Sequence, residues 1–211
     1  MEILSFDLLP STQNYLVDAL KAGRLTAPCA VIALEQSAGV GSRDNQWSGG
    51  KGNFFASVAI SLDQLPSDLP LSSASIYFSY VMKEILLEYH QNIWLKWPND
   101  FYLNDEKVGG TITKKVGQTL VCGIGINLKN GQNGYRALGV DIPPEILLKK
   151  FLFALEKFPR WKHIFSEYRV EFELSRRFSV HIGNLRKSLS DATLEEDGSL
   201  LINGKKVYSL R

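Results

Sequence analysis

The sequence predicts an α/β protein of the α+β kind, with a β-sheet, helices packed against it and a small β appendage at the C-terminus. Three observations carry this expectation. Up to about residue 175, apolar stretches of strand length are interspersed with longer stretches of helical periodicity. From Arg176 onward, short strand-like stretches are separated by Gly183-Asn184, Asp197-Gly198 and Asn203-Gly204, the last two being strong hairpin signals. A chain of 211 residues suits one medium domain plus a small addition. The expected boundaries are 1–175 for the main domain and 176–211 for the small C-terminal β domain.

Taken in order, Ile3 to Leu8 reads as a short strand. A helix then opens with Ser11 as N-cap, presents Leu16, Ala19 and Leu20 on one face, and closes at Gly23. Ala30 to Leu34 and Asn53 to Leu62 read as strands, and Ser37 to Gly52 between them as a long loop. Leu71 to Tyr89 has the length and periodicity of a helix. Ile93 to Trp97 alternates as a strand, and Phe101 to Leu103 with Val108 to Thr113 form a hairpin turning at Asn104-Asp105-Glu106. Gln118 to Asn127 is a further strand. Pro144 stands at a first helical position, with Ile146, Leu147, Phe151 and Leu155 expected on the buried face, and Trp161 to Phe172 continues as helix.

Composition removes several classes. Hydrophobic residues at 45% and charged residues at 22% are ordinary globular usage, so a sizeable core can be buried. The net charge of +2 is made of interspersed charges, with no basic track for a nucleic acid. Cys29 and Cys122 each lie in an apolar run and read as buried small hydrophobes. No Cys or His cluster has metal-ligand spacing. No signal peptide and no run of 18 apolar residues is visible, so no membrane association is expected and the cytoplasm is the expected compartment.

Four segments carry chemistry. Ser37 to Gly52 holds five glycines around Trp47 and is long enough to be a functional loop. In Lys96-Trp97-Pro98-Asn99-Asp100, Pro98 stops a strand, and a turn then presents an amide and a carboxylate. In Lys107-Val108-Gly109-Gly110, a cation precedes two glycines that allow close approach to the backbone. Gly123-Ile124-Gly125-Ile126-Asn127 is a glycine-spaced strand ending in an amide. Each has an ordinary structural alternative when read alone: a turn, a solvated lysine beside a β-bulge, crowded strand packing.

In this order and spacing, however, the segments closely resemble the biotin protein ligase family, in the short type without an N-terminal DNA-binding domain. Ser11-Thr12-Gln13 is similar to the family's S-T-N signature, with Gln13 in place of Asn. Glu35-Gln36-Ser37-Ala38-Gly39 is similar to its E-x-Q-Q-A-G segment, and Ser209-Leu210-Arg211 to the end of its C-terminal domain. The resemblance implies the catalytic fold of class II aminoacyl-tRNA synthetases and biotin ligases, a mixed β-sheet with flanking helices, with an SH3-like C-terminal domain. It implies an ATP-dependent ligase that makes biotinyl-5′-AMP from biotin and MgATP, then passes biotin to a lysine of a biotin carboxyl carrier domain of a biotin-dependent carboxylase.

By the same resemblance, biotin is bound by Ser11, Thr12, Gln13 and Gln36, by the loop residues Gly39, Val40, Gly41 and Ser42, and by Lys107, Gly109 and Gly110. ATP falls to Arg43, Trp47, Lys96, Asn99, Asp100, Lys107 and Asn127. Lys107, Asp100 and Arg43 are the expected catalytic residues, and Mg²⁺ is expected to be carried by ATP. One departure stands out. The family's loop reads G-R-G-R-x-x-R-x-W, whereas here Gly39 to Trp47 keeps only Arg43, displaced by one position. Each charge-assisted contact is worth about 1.5–3 kcal/mol, so Arg43 and the main-chain amides of Val40 to Arg43 are expected to share the phosphate role. A lipoate-type ligase and a non-catalytic biotin- or nucleotide-binding homologue are the competing readings, and a homodimer through an exposed sheet edge is left open.

Overall fold

The computed structural model describes residues 1–41, 46–131, 135–183 and 185–208, with only the backbone of Ser48 and Gly49. The main sheet is built from β1 (Glu2–Leu9), β2 (Cys29–Val40), β3 (Gln46–Gly49), β4 (Phe54–Ser61), β5 (Ile93–Lys96), β6 (Asp100–Leu103), β7 (Glu106–Val116) and β8 (Thr119–Ile126). Their order is β1-β2-β4-β8-β7-β6-β5, with β3 added on β2. β1 runs parallel to β2 and the other pairs are antiparallel, so the sheet is mixed as expected.

The strand alternation divides the core in two. On one face, Ala30 and Ile32 of β2, Val58 of β4 and Cys122 of β8 join the larger cluster under α2 (Ala74–Leu86), α3 (Pro144–Glu156) and α4 (Trp161–Ser175). On the other, Cys29, Val31, Ala59 and Val121 pack with Leu16 and Val17 of α1 (Thr12–Lys21). This is the period-two signature of strands covered on both faces. α2 is buried nearly all round because it lies between the sheet and the two following helices.

β5 is the far edge of the sheet, and α4 satisfies its outward amides. Leu95 N donates to Glu171 Oε1 at 2.5 Å and Trp97 N to Ser175 Oγ at 3.1 Å. Four residues of helix rise about 6 Å and two of strand about 6.8 Å, so the two spacings match. Glu171 also receives Lys83 Nζ from α2 at 2.9 Å.

After α4 come two small antiparallel sheets: β9 (Ser179–Ile182) with β10 (Leu185–Ser188), and β11 (Thr193–Leu194), β12 (Leu200–Ile202) and β13 (Lys205–Val207). Val180, Leu189, Leu200 and Ile202 enter the larger core. The turn before β12 is clasped by the main body. Trp161 Nε1 donates to Glu196 O, Ser73 Oγ to Asp197 O and Trp97 Nε1 to Gly198 O.

Several sequence expectations are corrected. Ser37 to Gly52 is not one loop: Ser37–Val40 extends β2, and β3 folds back on it. Its polar residues hid the strand because this extension pairs beyond the core. The helix read over 71–89 is regular only over Ala74–Leu86, after a short 3-10 turn. Ile146 is 43% exposed, and Leu148 and Leu152 take the buried face in its place. Trp161 starts a separate helix. The turn residue Asn184 and the closing segment 209–211 lie outside the described residues. No helix among the described residues is long and apolar enough to cross a membrane.

Candidate functional site

A cleft partly open to solvent lies on the α1 face of the sheet. Its floor is Gly110 and Ile112 of β7 beside Gly125 and Gly123 of β8, paired in that order. Three of the four floor positions have no Cβ, and side chains from above use the space. A Cβ on Gly123 would stand 2.6 Å from Gln13 Oε1, and one on Gly125 would stand 3.0 Å from two ring atoms of Trp47.

One end of the cleft is a neutral polar cluster. Ser11 caps α1 by accepting Asn14 N at 3.3 Å, which fixes the helix start. Thr12 donates to Gln36 Oε1 from its backbone N at 2.7 Å and from Oγ1 at 3.0 Å, and Ser57 Oγ donates to Thr12 Oγ1 at 3.0 Å. Gln13 Nε2 reaches Val121 O at 3.5 Å, while its Oε1 is buried with no hydrogen-bond partner among the described residues. An unpartnered buried acceptor costs about 1–3 kcal/mol, so this atom is primed for a ligand N–H.

The other end is charged. Lys107 Nζ lies 2.7 Å from Asp100 Oδ1, and Lys96 Nζ lies 3.9 Å from Asp100 Oδ2. A register shift in β6–β7 puts Lys107 here. Asp100 pairs with Gly110 and Phe101 with Gly109, but Tyr102 pairs with Lys107, so Val108 is the extra residue of a bulge. Without it, Lys107 would share the face of Gly109, which looks onto Phe101 in the core. The bulge re-aims the lysine into the cleft. The carboxylate also acts on its neighbours: burial first, then the charge of Asp100, pushes the Tyr102 phenol up.

Between the ends, Trp47 of β3 stacks on Tyr135 with centroids 5.5 Å apart, and Lys107 Nζ lies 5.7 and 5.5 Å from the two rings. Trp47 Nε1 and Asn99 Oδ1 are buried without hydrogen-bond partners among the described residues, and Asn99 Nδ2 donates to Thr111 O. Asn53, fully buried, fastens the segment after β8. Its Oδ1 accepts the backbone N–H groups of Leu128, Lys129 and Asn130 at 3.0, 3.3 and 3.3 Å.

Most expected site residues converge here. Ser11, Thr12, Gln13, Gln36, Val40, Gly41, Trp47, Asn99, Asp100, Lys107 and Gly110 line the cleft. Four do not line the cleft. A Cβ on Gly109 would stand 2.6 Å from Gly125 O and 3.1 Å from the Phe101 ring, so its small size serves sheet packing. Gly39 is held against the Trp47 backbone where β3 folds back on β2. Asn127 is buried and donates through Nδ2 to Arg136 O at 3.2 Å, tying down the segment that carries Tyr135. Lys96 lies behind Asp100, 8% exposed. Ser42 and Arg43 lie outside the described residues. Sequence reasoning missed Ser57, Ile112, Gly123, Asn53 and Tyr135. Only the glycine spacing of residues 123 to 125 was a usable signal, since residues two apart on a strand share a face. Among the described residues no three His, Cys, Asp or Glu groups converge to hold a metal.

Residues 5–129 match the family model described as the biotin/lipoate A/B protein ligase family. The bifunctional ligase/repressor BirA of Escherichia coli is 34% identical over 128 residues, covering 57% of this chain and 39% of that protein. The biotin–[acetyl-CoA-carboxylase] ligase of Paracoccus denitrificans is 31% identical over 132 residues, covering 57% of this chain and 53% of that protein. The chain thus spans about half or less of the length of these curated relatives. The crystal structure of biotin acetyl coenzyme A carboxylase synthetase from Helicobacter pylori with bound biotinylated ATP superimposes with TM-score 0.93 at 39% identity, covering 98% of this chain and 99% of that one. The biotin protein ligase from Aquifex aeolicus in complex with biotin and ATP shares the fold, with TM-score 0.76 at 21% identity over 100% of this chain and 96% of that one.

Proposed function

The chain belongs to the biotin/lipoate A/B protein ligase family, and from that premise we propose that it activates biotin with ATP and transfers it to a lysine of a biotin carboxyl carrier domain. The observation that carries this reading is the polarity of the cleft. A neutral hydrogen-bonding end at Thr12, Gln13 and Gln36 is separated by a glycine floor from the charged pair Lys107 and Asp100. A biotin molecule has the same layout, with a ureido ring at one end and a carboxylate at the other.

The ureido N–H groups need acceptors and its carbonyl needs donors. Gln13 Oε1 supplies an open acceptor, and the Gln36 amide, held through its Oε1 by Thr12, supplies N–H donors. Ile112 gives an apolar contact to the bicycle, and the glycines let the tail lie on the backbone. In the first step the biotin carboxylate attacks the α-phosphorus of ATP, and the bond to the leaving pyrophosphate breaks. Lys107, brought to the cleft by the bulge, opposes the charge that develops between carboxylate and phosphate. Trp47 and Tyr135 offer aromatic faces to the adenine, and Asn99 Oδ1 an open acceptor. In the second step the acceptor amine attacks the acyl carbon and AMP departs. An amine with pKa near 10.4 must first lose a proton, and Asp100 is suited to orient it and take that proton. Mg²⁺ is carried by the triphosphate. Arg43 contributes to holding the adenylate, and the reaction belongs in the cytoplasm, where ATP is available.

The test is biotin-dependent exchange of labelled pyrophosphate into ATP, with octanoate and lipoate as competitors. Exchange that requires biotin supports the proposal. Exchange with lipoate and none with biotin identifies a lipoate-type ligase, and biotin binding with no exchange identifies a non-catalytic homologue. Sedimentation across concentration tests a homodimer, for which the open β1 edge, with Ile3 and Leu8 exposed, is the candidate surface.

A further inference from the structure

Lys96, Asp100, Gly110 and Gly125 form one row across four adjacent strands. They are directly paired neighbours in β5, β6, β7 and β8 and so share a face. Gly110 and Gly125 are floor positions of the cleft, but Lys96 sits at the end of the row, outside the cleft lining. Its side chain is 10% exposed, its Nζ is 3.9 Å from Asp100 Oδ2 and 5.6 Å from the Tyr102 ring centroid. Asp100 thus lies between two lysines: Lys107 on the ligand side, and Lys96 on the side away from it.

The proposed reaction asks Lys107 to leave Asp100. Its amine is 2.7 Å from Asp100 Oδ1, and the same amine must neutralise an incoming carboxylate and phosphate. When it turns to them, Asp100 loses its nearest cation among the described residues, in a site from which ligand binding also excludes water. Coulomb attraction falls as the inverse of distance, so a cation at 3.9 Å keeps about two thirds of the pull of one at 2.7 Å. Resting on the reading of the cleft as an acid-activating site, we infer that Lys96 is a positioning residue that holds the Asp100 carboxylate ionised and in place while Lys107 passes from Asp100 to the anionic ligand. Lys96 does this without touching the nucleotide, because Asp100 stands between them. Lys96 frees one lysine to act as the ligand's counter-charge.

The test is a double-mutant cycle on the full chain. Lys96→Met, Lys96→Arg, Asp100→Asn and Lys96→Met/Asp100→Asn are compared with wild type in biotin-dependent pyrophosphate exchange, and in equilibrium binding of a non-hydrolysable biotinyl-adenylate analogue. Lys96→Met is expected to lower kcat about tenfold or more, leaving the KM for biotin within about twofold, with Lys96→Arg restoring most of the loss. In the Asp100→Asn background, removing Lys96 is expected to change either measurement less than about twofold, because the residue it serves is already neutral. An equal loss in both backgrounds, or a loss seen only as a higher KM for ATP, overturns the inference and makes Lys96 a direct nucleotide contact. The binding arm decides the matter even where Asp100→Asn exchanges too slowly to follow. A wild-type chain that activates another acid and not biotin defeats the substrate assignment alone, and the cycle is then read with that acid.

Discussion

Replacing Gly125 by alanine should separate nucleotide recognition from biotin recognition. The new methyl carbon would stand 3.0 Å from Cδ1 and Cε2 of Trp47, and nearer still to its Nε1. Ordinary carbon contacts lie at about 3.5–4.0 Å, so the indole must lift by about 0.5–1 Å, which forfeits about a quarter to a half of its contact energy on that side. Two routes of relief exist. β8 lies inside the sheet between β4 and β7 and cannot yield cheaply, whereas β3 is a short addition on β2 and can. The strain therefore goes into Trp47 and its stack on Tyr135. Overpacking of this size costs about 1–3 kcal/mol. About 1.4 kcal/mol is a factor of ten in affinity, so the KM for ATP should rise about tenfold. Gln13, Thr12 and Gln36 lie over the other half of the floor, so the Kd for biotin, measured by calorimetry without ATP, should stay within about threefold. The assay is pyrophosphate exchange with ATP titrated at saturating biotin. An unchanged KM for ATP would refute the assignment of Trp47 to the nucleotide, and a matching loss of biotin affinity would refute the division of the cleft.

Four further outcomes are expected. Gly109→Ala should act on stability: its Cβ would meet the Gly125 carbonyl and the Phe101 ring, so unfolding free energy should fall by about 1–3 kcal/mol, and a melting temperature within about a degree of wild type would contradict the packing role. Asp100→Asn should slow transfer from preformed biotinyl-AMP to the acceptor lysine by about 10²-fold, and wild-type transfer speed would remove Asp100 from that step. Arg43→Ala should raise the free biotinyl-AMP released into solution during turnover, and no rise over wild type would leave the phosphates to main-chain amides. Cys122 is fully buried, and burial pushes its thiol up. The folded state therefore keeps this proton while the unfolded thiol ionises near pH 8.5, so its contribution is whole below that pH and is lost at up to about 1.4 kcal/mol per pH unit above it. Urea unfolding between pH 8 and 10 should show a steeper fall for wild type than for Cys122→Ala, and parallel slopes would count against it.

The site was legible where a residue's role follows from its type and its place in a motif. Ser11 opens a helix, as its side chain and the apolar spacing behind it require, and this brings Thr12 and Gln13 to the cleft. Trp47, Asn99, Asp100 and Lys107 were all expected at one site and are there. It was illegible where a role depends on which face a residue takes. Gly109 and Gly110 are identical in type and adjacent, yet one packs against Phe101 and the other lies beside Asp100 and Lys107. Ser57 and Asn53 resemble many polar residues in or beside strands, and only the fold shows that one completes the Thr12 network and the other binds three amides. Asn127, expected at the nucleotide, lies outside the cleft lining, and its Nδ2 donates to Arg136 O in the segment bearing Tyr135.

Taken alone, the sequence determined the alternation of strands and helices, the small β tail, and the chemical inventory of the cleft, because periodicity, capping and turn chemistry are local properties of the chain. The tertiary structure decided how that inventory is used. The bulge at Val108 depends on the register of β6 against β7, a relation between two strands, and it turns Lys107 from the core toward Asp100. The burial of the Trp97 indole and its bond to Gly198 depend on a turn 101 residues further along the chain. A second cation beside Asp100, Lys96, comes from across a hairpin whose pairing sets the distance. Strand parity and register are properties of pairing, and pairing is settled only when the whole sheet has closed around its core.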